Sequence, residues 1–210
     1  NTKNIFILKC DVRKFFDSID HEILRGLLQA KISNNETLKL LDKIIESYST
    51  RLSKGIPLGN VTSQLWANIY LNELDQFIKH QLKVKHYLRY CDDFIILGHS
   101  QEDLLAMIIR INGFLKTVLR LELHPNKISI GTYRQGIDFL GYVVLPYHRV
   151  LRTKTKKRMF AKIMHRRADL SAGIISAESF ERSLQSYFGV LKHCHGHTIK
   201  TSIQGQLNQV

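Results

Sequence analysis

Three aspartates carry the chemical interest of this chain. Asp11 ends the apolar run Ile5-Phe6-Ile7-Leu8-Lys9-Cys10, and Asp92 and Asp93 stand side by side between two strand-like runs, flanked by Tyr90, Phe94 and Ile95. Carboxylates set among apolar residues are costly unless a cation or a proton neutralises them. Two readings are open. Aspartate is a common turn former through local hydrogen bonds, which by itself accounts for a pair beside a hairpin. If the three acids converge, they suit Mg²⁺, which takes carboxylate and phosphate oxygens, and a pair of such ions activates an attacking hydroxyl and stabilises a leaving oxygen.

The elements around these acids follow from hydrophobic periodicity. A strand ends at Asp11, and Asp20 can cap a helix whose apolar face is Ile23, Leu24, Leu27 and Leu28. Leu38, Leu41, Ile44, Ile45 and Tyr48 give a second helix. Gly55 to Asn60 is a loop, after which Leu65, Ile69, Leu74 and Phe77 mark a long helix. His86 to Tyr90 and Phe94 to Leu97 form a tight hairpin with Asp92 and Asp93 at or beside its turn. Gln101 to Leu119 is an amphipathic helix, and strand patterns follow at Ile128 to Tyr133 and Phe139 to Leu145. This order is close to the split β-α-β arrangement of ferredoxin-like sheets, an α+β class. Past Val150 the pattern turns to basic helices, with Ser176 a cap before Phe180, Leu184 and Tyr187, so a domain boundary is expected between 149 and 150.

Charge points to the partner. The chain of 210 residues holds 31 Lys and Arg against 18 Asp and Glu, a net of +13, which favours a polyanion. Arg149, Arg152, Lys154, Lys156, Lys157, Arg158, Lys162, Arg166 and Arg167 follow one another with no acid among them, as a phosphate-contacting surface would. No apolar run approaches the roughly 20 residues that cross a bilayer. Asn1 to Asn4 lack the start of a signal peptide, and Cys10, Cys91 and Cys194 form no disulfide framework, so a cytoplasmic protein with no membrane partner is expected.

Several strings together resemble the palm of bacterial reverse transcriptases. Asp11-Val12-Arg13-Lys14-Phe15-Phe16-Asp17-Ser18-Ile19-Asp20-His21 looks like the first palm motif, and Gly55-Ile56-Pro57-Leu58-Gly59-Asn60-Val61-Thr62-Ser63-Gln64 resembles the next. Tyr90-Cys91-Asp92-Asp93 matches the Tyr-x-Asp-Asp box. Leu121 to Lys127 and Phe139-Leu140-Gly141-Tyr142 resemble the motifs that complete the palm and grip the primer. Occurring in the family's order, these are far more specific than any one alone. The resemblance implies an antiparallel sheet with helices on one face, residues 1–149, as a catalytic palm, followed at 150–210 by an incomplete helical thumb. It implies that Asp11, Asp92 and Asp93 are catalytic and bind two Mg²⁺ ions, with Mn²⁺ able to substitute and the Val12 carbonyl assisting. Phe16 falls where the family places the side chain that excludes a ribose 2′-hydroxyl; outside the motif it would read as a core aromatic. Pro57, Leu58, Gly59 and Lys127 fall at the incoming nucleotide, Lys127 near the departing pyrophosphate. Phe139, Leu140, Gly141 and Tyr142 would form the primer grip, and the basic run, Arg149, Arg152, Lys154, Lys156, Lys157 and Arg158 among it, would meet nucleic acid.

The partners implied are an RNA template, a DNA or RNA primer and deoxynucleoside triphosphates. Leu58 departs from the glutamine that many relatives carry there. In this it resembles the reverse transcriptases of diversity-generating retroelements, which implies low fidelity, a structured cognate RNA and a small basic accessory protein; drift at a loop position explains the same leucine. Group II intron, retron and antiphage reverse transcriptases share the reaction. A non-catalytic RNA-binding relative is the reading of another class, opposed by three acids that repel phosphate. The chain starts without methionine just before the first motif, so part of the fingers is expected to be absent and this stretch alone to be weak or inactive. His193-Cys194-His195-Gly196-His197 has zinc-ligand types, but such close neighbours cannot all turn inward without a second cluster, and a thumb loop is the simpler account.

Overall fold

The computed structural model describes residues 5–50 and 53–207; Asn1 to Asn4, read above for a signal peptide, lie outside them. The chain divides into two compact units, which among the described residues are 5–131 and 132–207. The division precedes the 149/150 boundary expected from charge, because short strands at 137–151 fold with the basic helices. Leu151 belongs to that second core.

In the first unit, β1 (Phe6–Asp11), β2 (His86–Tyr90), β3 (Asp93–Gly98) and β4 (Ser129–Thr132) form a sheet in the order β2-β3-β1-β4. That is the ferredoxin-like order. β1 and β3 are antiparallel with Asp11 opposite Asp93 and Cys10 opposite Phe94, and β3 pairs β2 with Tyr90 opposite Asp93. Because side chains alternate along a strand, Leu8, Cys10, Phe94 and Ile96 face the core while Ile7, Lys9, Asp11, Asp93 and Ile95 share the other face.

Helices cover the core side. α1 (Phe15–Ser18) is a single turn; α2 (His21–Gln29) starts where the Asp20 carboxylate accepts the Glu22 and Ile23 amides. α3 (Asn35–Glu46) is capped by Asn34, and α5 (Gln101–Val118) by Ser100. α4 (Val61–Gln76) lays Trp66, Tyr70, Leu71 and Leu74 into the core and runs into a π-helical turn at Phe77–Gln81. The Phe77 ring stacks on Phe114 of α5 at 4.3 Å. Each such large side chain taken from water contributes about 1.5–3 kcal/mol. Tyr70 ties the layers: its hydroxyl donates to the Leu119 carbonyl at 2.7 Å and accepts the Asp20 amide at 3.3 Å.

The second unit begins with a three-stranded antiparallel sheet, β5 (Ile137–Phe139), β6 (Tyr142–Val144) and β7 (Arg149–Leu151). The single strand expected from Phe139 to Leu145 is thus a hairpin. Leu140 (φ +51°) and Gly141 (φ +85°) supply the two positive-φ positions of a two-residue turn. α6 (Thr153–Ser171), α7 (Ala177–Leu191), capped by Ser176, and α8 (His197–Leu207) bury Met159, Ile163, Leu184, Phe188, Leu191 and Ile203 together. No helix among the described residues is long and apolar enough to cross a membrane.

Candidate active site

The site is built where β1 ends beside the β2–β3 turn. The register sets Asp11 against Asp93, and the Val12 amide donates to the Asp92 carbonyl at 3.1 Å, so backbone bonds tie all three expected acids to one sheet end. Beyond it, the His124 amide donates to Asp11 O and the Arg13 amide to Glu122 O, both at 2.8 Å; neither bond uses the Val12 carbonyl. These bonds bring in the segment carrying Lys127, whose Nζ lies 2.8 Å from Asp11 Oδ2. Lys9, on the same sheet face, places Nζ 3.3 Å from Asp93 Oδ2.

Electrostatics single out the same place. Burial raises the Asp92 carboxyl above its ordinary value and Asp11 adds repulsion. Burial also raises Asp93, opposed by Lys9 and reinforced by Asp11 and Asp92. Asp93 Oδ1 is buried with no hydrogen-bond partner. Burial first, then Asp93 and Asp11, pushes the Cys10 thiol up to about 12. Among the described residues no set of three or more His, Cys, Asp or Glu is gathered closely enough to hold a metal ion, these acids included. The donor chemistry nevertheless fits a hard divalent cation: all-oxygen ligands, mutual repulsion and an orphaned buried carboxylate oxygen are what such an ion relieves.

The second motif is fastened to the first. Ile56 N donates to Phe16 O at 2.9 Å, Gly55 N to Ile19 O at 2.8 Å, and buried His21 donates through Nε2 to Gly55 O at 2.7 Å. Gly55 has φ +97°, and a Cβ there would stand 2.8 Å from Thr50 Oγ1, which itself donates to Asp17 O. Phe16 is therefore brought close in the chain's backbone network to Pro57, Leu58 and Gly59. Its ring is half-buried, edge-on to Phe15 at 5.6 Å, while Leu58 is 75% exposed. A polar cleft of about 540 Å³ beside α1 is lined by Arg13, Lys14, Asp17, Lys54 and Glu122, but not by Asp92 or Asp93.

Within the second unit, the expected primer-grip residues divide. Phe139 is buried and the Tyr142 hydroxyl donates to Val190 O at 3.1 Å, whereas Leu140 and Gly141 form the turn with Leu140 exposed. The basic run divides too. Arg149, Lys154, Lys156, Lys157, Arg158 and Lys162 are exposed, while Arg152 pairs with Asp138, Arg166 donates to Ser179, and Arg167 donates to Gln206 O. Cys194 Sγ donates to Leu191 O, and the His195 ring lies 5.1 Å from that of His148.

Sequence reasoning missed a network behind the aspartate turn. Arg89 and Tyr87 alternate onto the helix side of β2, leaving Leu88 and Tyr90 exposed. Arg89 Nε and Nη2 donate to the two Asp75 carboxylate oxygens, and Tyr87 donates to Asp75 Oδ1 at 2.6 Å. Burial, then Asp75, raises the Tyr87 hydroxyl well above its ordinary value. An arginine at an inward strand position with an acid on the preceding helix was the available signal.

Fold and site together define an α+β domain with an acidic centre at the end of its sheet. Residues 1–144 match the family described as reverse transcriptase (RNA-dependent DNA polymerase), and the chain belongs to that family. It is 25% identical over 193 residues to Protein YkfC of Escherichia coli, covering 74% of this chain and 49% of that protein. It is 29% identical over 217 residues to the group II intron-encoded protein LtrA of Lactococcus lactis, covering 70% of this chain and 35% of that one. The chain thus spans half or less of these relatives' lengths. Among solved structures, telomerase of Candida tropicalis with a fragment of telomeric RNA shares the fold, with a TM-score of 0.56, 12% identity, and 96% of this chain and 40% of that one covered.

Proposed function

We propose that the chain is the palm and part of the thumb of an RNA-directed DNA polymerase, which adds deoxynucleotides to a primer 3′-hydroxyl on an RNA template. The observation that supports this most is the pairing of Asp11 with Asp93 beside Asp92, at a sheet end where burial and mutual repulsion leave the carboxylates in need of a cation. Asp11, Asp92 and Asp93, with the Val12 carbonyl, would hold two divalent ions. Such ions would supply Lewis-acid activation of the primer hydroxyl and neutralise charge on the departing pyrophosphate.

The chain's own residues position the reactants. β1 and β3 fix the acids on a rigid sheet, so little ordering remains when the reactants meet. Phe16, held through its carbonyl by Ile56, presents its ring toward the sugar and disfavours a 2′-hydroxyl. Lys127 keeps a cation at Asp11 and supplies positive charge to the departing pyrophosphate. Leu140, Gly141 and the exposed cations of β7 and α6 meet primer and template.

Leu58 supports a diversity-generating retroelement enzyme with a cognate structured RNA and a basic accessory protein, because an exposed leucine offers no polar contact near the templating pair. Similarity to LtrA, a group II intron-encoded protein, favours the second reading, a group II intron enzyme. RNA-templated primer extension that disappears with EDTA and returns with Mg²⁺ or Mn²⁺ is the expected result. Template binding without extension at full natural length would leave an RNA-binding protein. Within an active enzyme, Leu58→Gln lowers misincorporation by about 10-fold if Leu58 relaxes fidelity; an unchanged error rate favours the intron reading.

A further inference from the structure

The turn that carries Asp92 has an uncommon conformation, and a side chain from the preceding strand bonds to it. Cys91 is left-handed, at φ +52°, in a region that residues other than glycine rarely adopt. Such a conformation persists where its surroundings over-determine it. Beside the Val12 amide, which bonds the Asp92 carbonyl, these surroundings include Arg89. Its Nε and Nη2 are engaged by the Asp75 carboxylate from α4, and Nη1 donates to the Cys91 carbonyl at 3.0 Å and to Asn68 Oδ1 at 3.3 Å. The Arg89 side chain is only 10% exposed, so it is fixed in place. The peptide carbonyl it grips is the one that leads into Asp92, whose own carbonyl accepts the Val12 amide.

We propose that Arg89 is a positioning residue for catalysis: anchored by Asp75, it clamps the Cys91 peptide and thereby sets where the Asp92 carboxylate stands relative to Asp11. A guanidinium can do this because its donors form a rigid planar fork, two for the carboxylate and one for the carbonyl. A lysine ammonium carries the same charge without the fork. Tyr87 braces Asp75 from the same strand, so the device joins α4, β2 and the turn. Its kinetic consequence rests on the polymerase reading above, but its conformational consequence does not.

The test compares the unaltered protein with Arg89→Lys and Asp75→Asn at full natural length. Hydrogen exchange reports the turn independently of activity, and primer extension reports the chemistry. In both variants, exchange at residues 90–94 and at the Val12 amide rises by about 10-fold or more, while 95–97 of β3 stays protected. In Arg89→Lys, kcat falls by about 10- to 100-fold while KM for the nucleotide stays within about twofold, the signature of misplaced chemistry with intact binding. Cys91→Asn, a residue that tolerates the left-handed region, restores part of that kcat in the Arg89→Lys background. Unchanged exchange at the turn in both variants overturns the proposal. So does exchange that rises equally through the whole sheet, which makes the network a structural ion pair. Loosening confined to the turn in a protein that never extends primers retains the clamp and refutes the polymerase reading.

Discussion

Asp92 carries its charge at a cost: its carboxylate is partly desolvated and is repelled by Asp11. Asp92→Asn removes that repulsion, so in EDTA the variant melts above the unaltered protein while losing extension by at least about 10²-fold. Calorimetry and primer extension on one preparation check both halves. Phe16 is expected to matter more for sugar selectivity than for stability. Phe16→Ala raises ribonucleotide incorporation relative to deoxynucleotide by about 10- to 100-fold and costs about 1–3 kcal/mol in urea melts, less than a fully buried phenylalanine would. At this scale the sequence was informative: three acids among apolar residues, and Lys127 at the end of a motif, were visible as a pattern, and the structure sets Lys127 against Asp11. The Arg89–Asp75 pair was not. Its partners lie on different elements, and the outward Leu88 and Tyr90 disguise which side of β2 faces the helices.

The elements owe their placement to backbone bonds more than to side chains. The Gly55 loop docks on α1 and the start of α2 through main-chain groups; its φ of +97° strains any other residue, and a Cβ there would also crowd Thr50. Gly55→Ala therefore destabilises the fold by about 2 kcal/mol, read as a lower urea midpoint with an unchanged slope. The long helices and the β2–β3 hairpin were legible because their periods of about 3.6 and 2 extend over enough residues. Strands β5 to β7, of three residues each, carry too little period to be seen. The Leu140-Gly141 turn was hidden inside an apolar run, since leucine at positive φ is an uncommon turn residue.

At the scale of the whole chain, a net charge of +13 favours nucleic acid without selecting a sequence. Replacing the exposed Lys154, Lys156, Lys157 and Arg158 with glutamine weakens template binding and lowers the slope of log affinity against log salt by about 3, at roughly 0.7–0.9 per lost phosphate contact. A slope unchanged within error would place those cations away from the backbone. Charge changes at α6 whereas packing changes ahead of β5, so the two compact units part earlier in the chain than composition alone suggests. The central claim, that this sheet end polymerises DNA on RNA, is tested most directly by extending a DNA primer on an RNA template with Mg²⁺, using the protein at full natural length and its Asp92→Ala, Asp93→Ala variant. Extension by the unaltered protein, abolished in a variant that still binds template, is the predicted result; equal extension by both, or none by a folded protein that binds template, would contradict it.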